Sequence, residues 1–353
     1  MQINKLLIIG MGGAGNRQLD TLLSINRRYT GLFFNTNLKE MKELEHYEEN
    51  RMSYYVSNAD GCGQDRILCK KYLQSEAPKI MDTLSKFEDK EAFILLASAS
   101  GGTGSRAITY LSPIIKKIFP SKSINIVVTL PSKNSSIPEL NNAVDTWNEI
   151  VELKRDNIID SIMFIDNNKL ADENVINKKA MQELNSCLTF QGSIIDSTDS
   201  KRVNTSKGYK VILNLSDDID NLEDNIEIAI QKSMFYIPSE LESNYLIASV
   251  NSNISLNDVT SLFKGYDFKK IEAHNKNNKI VLGGCEMPRK AIRDIREAKE
   301  ELMILKRSKV IEDFDDLKIR THKDISKNIE SEKITNEDLD ELFENDDFWN
   351  QFN

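Results

Sequence analysis

The chain has 353 residues, 40% of them hydrophobic and 29% charged, and a formal net charge of −9. That is enough apolar mass for a sizeable core or two domains, and the wrong overall sign for gripping a nucleic-acid backbone directly. No run approaches the roughly 18 apolar residues of a membrane span, and Met1 to Leu6 lead into a strand-like run instead of a secretory signal, so a cytoplasmic protein without membrane contact is expected. Cys62, Cys69, Cys187 and Cys285 show no ligand spacing and the three histidines lie far from them, so no structural zinc, disulfide framework or other protein-held metal is expected.

In chain order, residues 5–9 read as a short apolar strand running into a glycine loop at 10–15, and 17–25 has helical spacing. Residues 31–34 form a second strand ending at Asn35, Thr36 and Asn37, and 54–57 a third ending at Asn58 to Gly63. A helix is predicted over 66–84. Residues 92–97 are wholly apolar, followed by Gly101-Gly-Thr-Gly-Ser105 and a helix over 106–118. Two more buried strands, 124–129 and 162–165, flank a helix over 140–153. Short apolar strands alternating with longer helices predict an α/β fold with a doubly wound parallel sheet.

A helical pattern over 174–191 carries Val175, Ile176, Met181, Leu184 and Leu188. Strand-like runs at 209–215, 245–250 and 279–283, with helices at 222–234 and 256–263, predict a second, smaller α/β domain. Pro288 opens a long charged helix reaching 311, and the remainder is acidic. The organisation expected is therefore a nucleotide-binding domain (1–173), a central helix (174–192), a second domain (193–287), a C-terminal helix (288–311) and an acidic tail (312–353). In the tail, Thr335 with Asp338 has capping-box spacing, and Leu339, Leu342, Phe343, Phe348, Trp349 and Phe352 suit a motif that docks on a protein surface.

Glycines at a strand-to-helix junction leave backbone N–H groups bare where the helix dipole adds positive charge, which suits phosphate. In a parallel sheet the three glycine loops and the Asn35–Asn37 turn all fall at the carboxyl ends of neighbouring strands, where such folds bind nucleotides. Gly10, Gly12 and Gly15 also fit the dinucleotide fingerprint of a nicotinamide enzyme. That reading wants an acid at the end of the second strand, where Asn-Thr-Asn stands, and leaves the second glycine loop unexplained. No Gly-Lys-Ser/Thr occurs, which excludes a Walker loop.

Two such loops, the later reading Ser100-Gly-Gly-Thr-Gly-Ser-Arg106, make residues 1–283 resemble the tubulin/FtsZ family of GTPases. The outer glycines of the family's signature are replaced here. The resemblance implies binding of GTP or GDP with magnesium by Gly12, Gly13, Asn16, Asn35, Gly61, Gly101, Gly102, Thr103, Gly104 and Ser105. It also implies Glu139 as the ribose carboxylate, Asn167 near the guanine, and Met181 and Asn185 stacking on and hydrogen-bonding to the base. Gly192-Ser-Ile-Ile-Asp-Ser-Thr-Asp199 is similar to the family's acidic loop, so Asp196 and Asp199 are expected to be catalytic in the nucleotide site of the next subunit of a head-to-tail filament. The thinned glycines and the long terminal helix look like the family's TubZ branch of plasmids and bacteriophages, and the length and Lys-, Asn- and Ile-rich composition look like a clostridial-phage member. That branch segregates DNA through a DNA-binding adaptor, TubR, so no direct nucleic-acid contact is implied; a cytokinetic ring protein of the FtsZ kind is the alternative.

Overall fold

The computed structural model describes residues 2–49, 51–57, 59–263, 266–273 and 278–317, with side chains to 307. The chain divides into one compact unit, Met1–Met303, and a second, Ile304–Asn353. The expected capping box and apolar residues of the tail lie outside the described residues.

The first unit opens with β1 (Leu6–Met11), α1 (Gly12–Ile25), β2 (Thr30–Asn35), α2 (Leu38–Lys42), β3 (Ser53–Tyr55), α3 (Arg66–Ser75), α4 (Ala77–Ser85), β4 (Ala92–Ser98) and α5 (Thr103–Ile118). It continues with β5 (Ser123–Leu130), α6 (Ile137–Arg155), β6 (Ser161–Asp166), α7 (Glu173–Leu188), α8 (Ser197–Asn204) and β7 (Gly208–Asn214). Then come α9 (Leu222–Lys232), β8 (Tyr245–Val250), α10 (Leu256–Leu262), β9 (Phe268–Ala273) and β10 (Lys279–Cys285), and α11 (Arg289–Leu317) begins.

Among the described residues the strands form one sheet in the order β3-β2-β1-β4-β5-β6-β7-β10-β8-β9. It is parallel from β3 to β7, and β10 runs antiparallel to both its neighbours. β1 shows why the centre must be covered on both sides. Leu7, Ile9 and Met11 face one apolar layer with α3, α4, α5 and α6, while Leu6 and Ile8 face the other with α1, α2 and α7. Each fully buried aliphatic or aromatic side chain contributes about 1.5–3 kcal/mol, so a strand buried along its whole length can sit only in the middle of such a sandwich.

Differences from expectation have local causes. The helix expected over 66–84 is two, because Pro78 sits at the start of α4 and Glu76 leaves helical geometry between them. The strands from 193 onward share the sheet of the first half: β7 pairs with β6 through Ser161–Gly208 and Ile162–Tyr209 and carries it onward. Three short elements, α2, α8 and β9, stand where no element was predicted; β9, with Lys269, Lys270 and Glu272, is a polar edge strand and lacks an apolar run.

Candidate active site

The carboxyl ends of β1, β2 and β4 border a cleft of about 500 Å³. Gly12, Gly13, Asn35, Gly61, Gly101, Gly102, Thr103 and Gly104 are brought together in its lining. Most of the helices that follow carry side-chain caps: Asn37, Asp65, Asp172, Asp196, Asn221 and Ser255 accept from the first-turn amides of α2, α3, α7, α8, α9 and α10. The two helices that follow the glycine loops of the cleft, α1 and α5, do not. Neither Met11 before α1 nor Gly102 before α5 offers a side-chain acceptor, so orphan N–H groups and two positive dipole ends meet at one place. An anion is what satisfies them.

The glycines serve two purposes there. Gly12 has φ +69°, and a Cβ on it would stand 2.8 Å from the Gly104 nitrogen, while one on Gly104 would stand 2.7 Å from the Met11 oxygen. The two loops therefore touch main chain to main chain. Gly101 has nothing within 4 Å of a Cβ, so its bareness answers to the cleft alone.

Behind the loops the fastening is polar. Thr36 and Thr103 share a hydroxyl–hydroxyl hydrogen bond of 2.6 Å, and the buried Ser105 hydroxyl donates to the Gly101 carbonyl, so Ser105 braces the loop from inside. Arg106, in the first turn of α5, and Arg66 of α3 both pair with Glu149 of α6, at 2.5 and 2.7 Å. Asn16, expected at the ligand, spends its amide on Phe34: its Nδ2 donates to the Phe34 oxygen at 3.3 Å and its Oδ1 accepts from the Phe34 nitrogen at 3.2 Å.

Sequence reasoning missed Arg17, Glu40, Asp60, Cys62 and Gln64, which also line the cleft. Arg17 is the one cation among the lining residues, against the carboxylates of Glu40 and Asp60. The Asn35 amide holds Glu40 Oε2 at 3.0 Å, and a Cβ on Gly13 would lie 2.7 Å from the same oxygen. The Asn37 cap, which turns the chain into α2, was the available signal for Glu40, since it places an acid in that helix's first turn.

The residues expected around sugar and base are not in the cleft lining. Glu139 accepts from Ser136 N and Oγ at 2.8 and 2.7 Å, in the capping box of α6. Asn167, in the turn after β6, is 8% exposed and its Oδ1 has no partner among the described residues. Met181 is fully buried in the core beneath the sheet. Asn185 accepts from the Tyr29 hydroxyl at 2.9 Å, and Tyr29 precedes β2, at the end of the sheet away from the cleft. The physical reason is helix rise: α7 starts beside the carboxyl end of β6 and runs back along the sheet, so Asn185 lies roughly 18 Å below its first turn at about 1.5 Å per residue. Nearer the start, Asn177 accepts from Gln18 Nε2 at 2.7 Å, and that same nitrogen donates to Thr129 at the end of β5 at 2.6 Å.

Asp196 and Asp199 also sit at that far end. Lys201 of α8 pairs at 2.6 Å with Glu91, which immediately precedes β4. Asp196 is exposed and caps α8, with its carboxylate accepting from Thr198 N at 2.7 Å and Asp199 N at 2.9 Å, bonds that hold its pKa below the ordinary aspartate value. Asp199, expected to be catalytic, is 7% exposed: its Oδ2 accepts from Asp196 N at 3.2 Å and pairs with Lys270 at 3.4 Å. Ile194, two residues before Asp196, is 54% exposed.

An α/β sheet whose first strands end in two bare helix N-termini defines a nucleotide-binding domain, and residues 5–177 match the Tubulin/FtsZ family, GTPase domain. Residues 5–177 thus form a GTPase domain of the tubulin/FtsZ kind, and the nicotinamide reading of the first loop falls. It is 28% identical over 310 residues to the Tubulin-like protein TubZ of Clostridium botulinum C phage, covering 85% of this chain and 84% of that one. The solved structure of Clostridium botulinum phage c-st TubZ, truncated at its C-terminal tail, superposes with a TM-score of 0.79 at 25% identity over 86% of this chain and 99% of that one. A GTPγS-form protofilament of Bacillus thuringiensis serovar israelensis TubZ shares the fold at a TM-score of 0.72 and 16% identity, over 86% of this chain and 94% of that one. Among the described residues no helix is long and apolar enough to cross a membrane, and no cluster of metal-ligating side chains occurs.

Proposed function

We propose that this GTPase assembles head to tail and hydrolyses GTP in a site shared by consecutive copies. The observation that carries the reading is the separation of its parts: a cleft edged by bare amides at one end of the sheet, whose carboxylates Glu40 and Asp60 we assign to the metal, and an exposed carboxylate, Asp196, beside the exposed Ile194 at the other. The uncapped amides of α1 and α5 hold the phosphates, which is where charge develops in phosphoryl transfer. Asp196 of the neighbouring copy orients the attacking water and accepts its proton; Asp199, tied to Lys270, positions it. Magnesium, when bound, neutralises phosphate oxygens, and Glu40 and Asp60 are the carboxylates that would hold it or its water shell. Asn167, whose Oδ1 has no partner among the described residues, and the first turns of α7 take the guanine.

Residues 1–173 then carry nucleotide, 174–192 link the two ends, 193–287 present the acidic turn, and 288–311 and 312–353 serve regulation or recruitment. A contact between unlike ends repeats into open filaments. The relatives named TubZ support a role in moving plasmid or phage DNA through a TubR-like adaptor, and a net charge of −9 suits a subunit that leaves DNA contact to that adaptor. Complementation tests the shared site. Asp196→Asn and Gly101→Arg subunits should each be inactive alone, and a mixture should recover GTP hydrolysis by joining an intact cleft to an intact aspartate. A mixture as inactive as its components would refute it.

A further inference from the structure

Seven residues apart, Cys62 and Cys69 come together behind the second glycine loop. Cys62 lines the cleft; its Sγ donates to Thr36 Oγ1 at 3.5 Å, and its Cβ is the atom a Cβ on Gly102 would strike at 2.9 Å. Cys69, fully buried on α3, donates from its Sγ to the Thr103 carbonyl at 3.8 Å. Each thiol spends its one proton on a threonine oxygen, and when Cys62 ionises its sulfur becomes an acceptor for the Cys69 S–H. Both are free, so two reducing groups flank the residue that starts α5.

We propose that Cys62 is a site of oxidation by peroxide, and that it closes a reversible disulfide with Cys69 that disables the nucleotide cleft. The second half of that statement rests on the cleft binding GTP; the first does not.

The chemistry balances. The Cys62 thiolate attacks one peroxide oxygen, the O–O bond breaks, and hydroxide leaves to take up a proton, giving a sulfenic acid and water. The Cys69 sulfur then attacks the sulfenic sulfur, losing its proton as the S–O bond breaks and a second water departs, so two thiols and one hydrogen peroxide become one disulfide and two waters. Cys62 is the sulfur that ionises first: the hydrogen bond from Cys69 draws its pKa down to about 6 against the opposing effect of burial, and the same bond pushes Cys69 up, keeping it the proton donor. The cleft gives a small oxidant its way in.

Drawing the sulfurs to about 2.05 Å moves both Cβ atoms. Cys62 packs on Gly102 and Cys69 holds the Thr103 carbonyl, so the movement shifts the two residues whose amides face the phosphates.

The test uses the full-length protein, reduced and then treated with hydrogen peroxide, followed by non-reducing peptide mapping and titration with a fluorescent GTP analogue. A Cys62–Cys69 linked peptide is expected, with analogue affinity at least tenfold weaker and restored by dithiothreitol. Cys69→Ser, compared with itself before and after peroxide, should lose both the link and the affinity change. A map that joins other cysteines, or one that ends in sulfinic acid at Cys62, overturns the proposal, as does a 62–69 link that leaves affinity unchanged. If the link forms but the reduced parent binds no analogue, the thiol pair stands and the GTP assignment falls.

Discussion

The two ends of the sheet hold their chemistry in different materials. At the carboxyl end the functional groups are main-chain amides at the starts of α1 and α5, and side chains are excluded so that the loops can touch each other and the ligand. At the amino end the groups we propose are the carboxylates of Asp196 and Asp199, and the fold already uses both, one as a helix cap and the other as the partner of Lys270. A bare amide can do little except bind an anion, whereas an aspartate in a capping box has a complete structural reason to be there. The comparison thus divides the molecule into an end whose purpose is written in what is missing and an end whose purpose must be separated from its structural duty.

The substitution that makes that separation with the largest effect is Asp196→Asn. Asparagine caps a helix as well as aspartate does, so α8 should keep its first turn and stability should stay within about 0.5 kcal/mol. Loss of the base should lower GTP turnover on the order of 100-fold, the low end for general-base catalysis, while pelleting with GTP continues. Asp199→Asn reverses the pattern: it loosens the pairing with Lys270 and costs about 1 kcal/mol in urea denaturation. Equal turnover losses with equal stabilities for the two variants would erase the distinction between exposed carboxylate and buried support.

At the other end the glycines give the matching test. Gly12→Ala forces a side chain into φ +69° and against the Gly104 nitrogen, and should cost about 2 kcal/mol or more in denaturation. Gly101→Ala meets no protein atom and should leave the midpoint unchanged or raise it by up to about 1 kcal/mol, yet weaken GTP in a binding titration. If Gly101→Ala binds GTP like the parent, the open space beside Gly101 is not where the phosphates lie.

Legibility in the sequence follows the same division. Residue type exposes loops that must lack Cβ atoms, so the six cleft glycines stand out in the amino-acid order, whereas Asn35 and Thr103 were placed there by the family resemblance; fully apolar runs such as 92–97 announce central strands. Arg17 escaped because nothing in its local pattern says that it faces a cleft, and Glu40 because its one signal, the Asn37 cap, marks a helix start without saying that the start borders a cleft. The engagement of Asp199 was invisible because Lys270 lies far along the chain on an edge strand with no apolar run. Met181 and Asn185 went astray for a geometric reason: the spacing of four residues fixes a helix face, but not how far down the helix that face has travelled from the cleft.

The central helix carries a pH prediction of smaller size. Glu183 accepts from Ser233 Oγ at 2.8 Å and Met234 N at 2.9 Å, and burial raises its pKa from 4.5 to about 7. An acid with a raised folded pKa binds more protons folded than unfolded between those values, so its contribution to stability is greatest below about 4.5, falls as pH rises toward 7, and levels off above it. The urea midpoint of the parent should drop between pH 5 and 7.5 by more than that of Glu183→Gln, a difference worth roughly 1–2 kcal/mol for a group that solvent still partly reaches. Parallel profiles for the two proteins would return Glu183 to an ordinary surface carboxylate.

Asn185→Ala has the smallest effect and speaks most directly to the two-ended layout. Its amide oxygen accepts from the Tyr29 hydroxyl at the foot of β2, so truncation removes one hydrogen bond and takes the acceptor from a tyrosine that is itself buried, at a cost of about 1 kcal/mol. GTP affinity should not change, because some 18 Å of helix separates Asn185 from the first turn of α7. Asn167→Ala is the counterpart at the cleft end, where a buried Oδ1 without a partner among the described residues suits a base edge, and it should weaken GTP more than it weakens the fold. A titration in which Asn185→Ala loses affinity and Asn167→Ala does not would put the guanine beside the lower half of α7, and the separation of the two ends along that helix would then have to be redrawn.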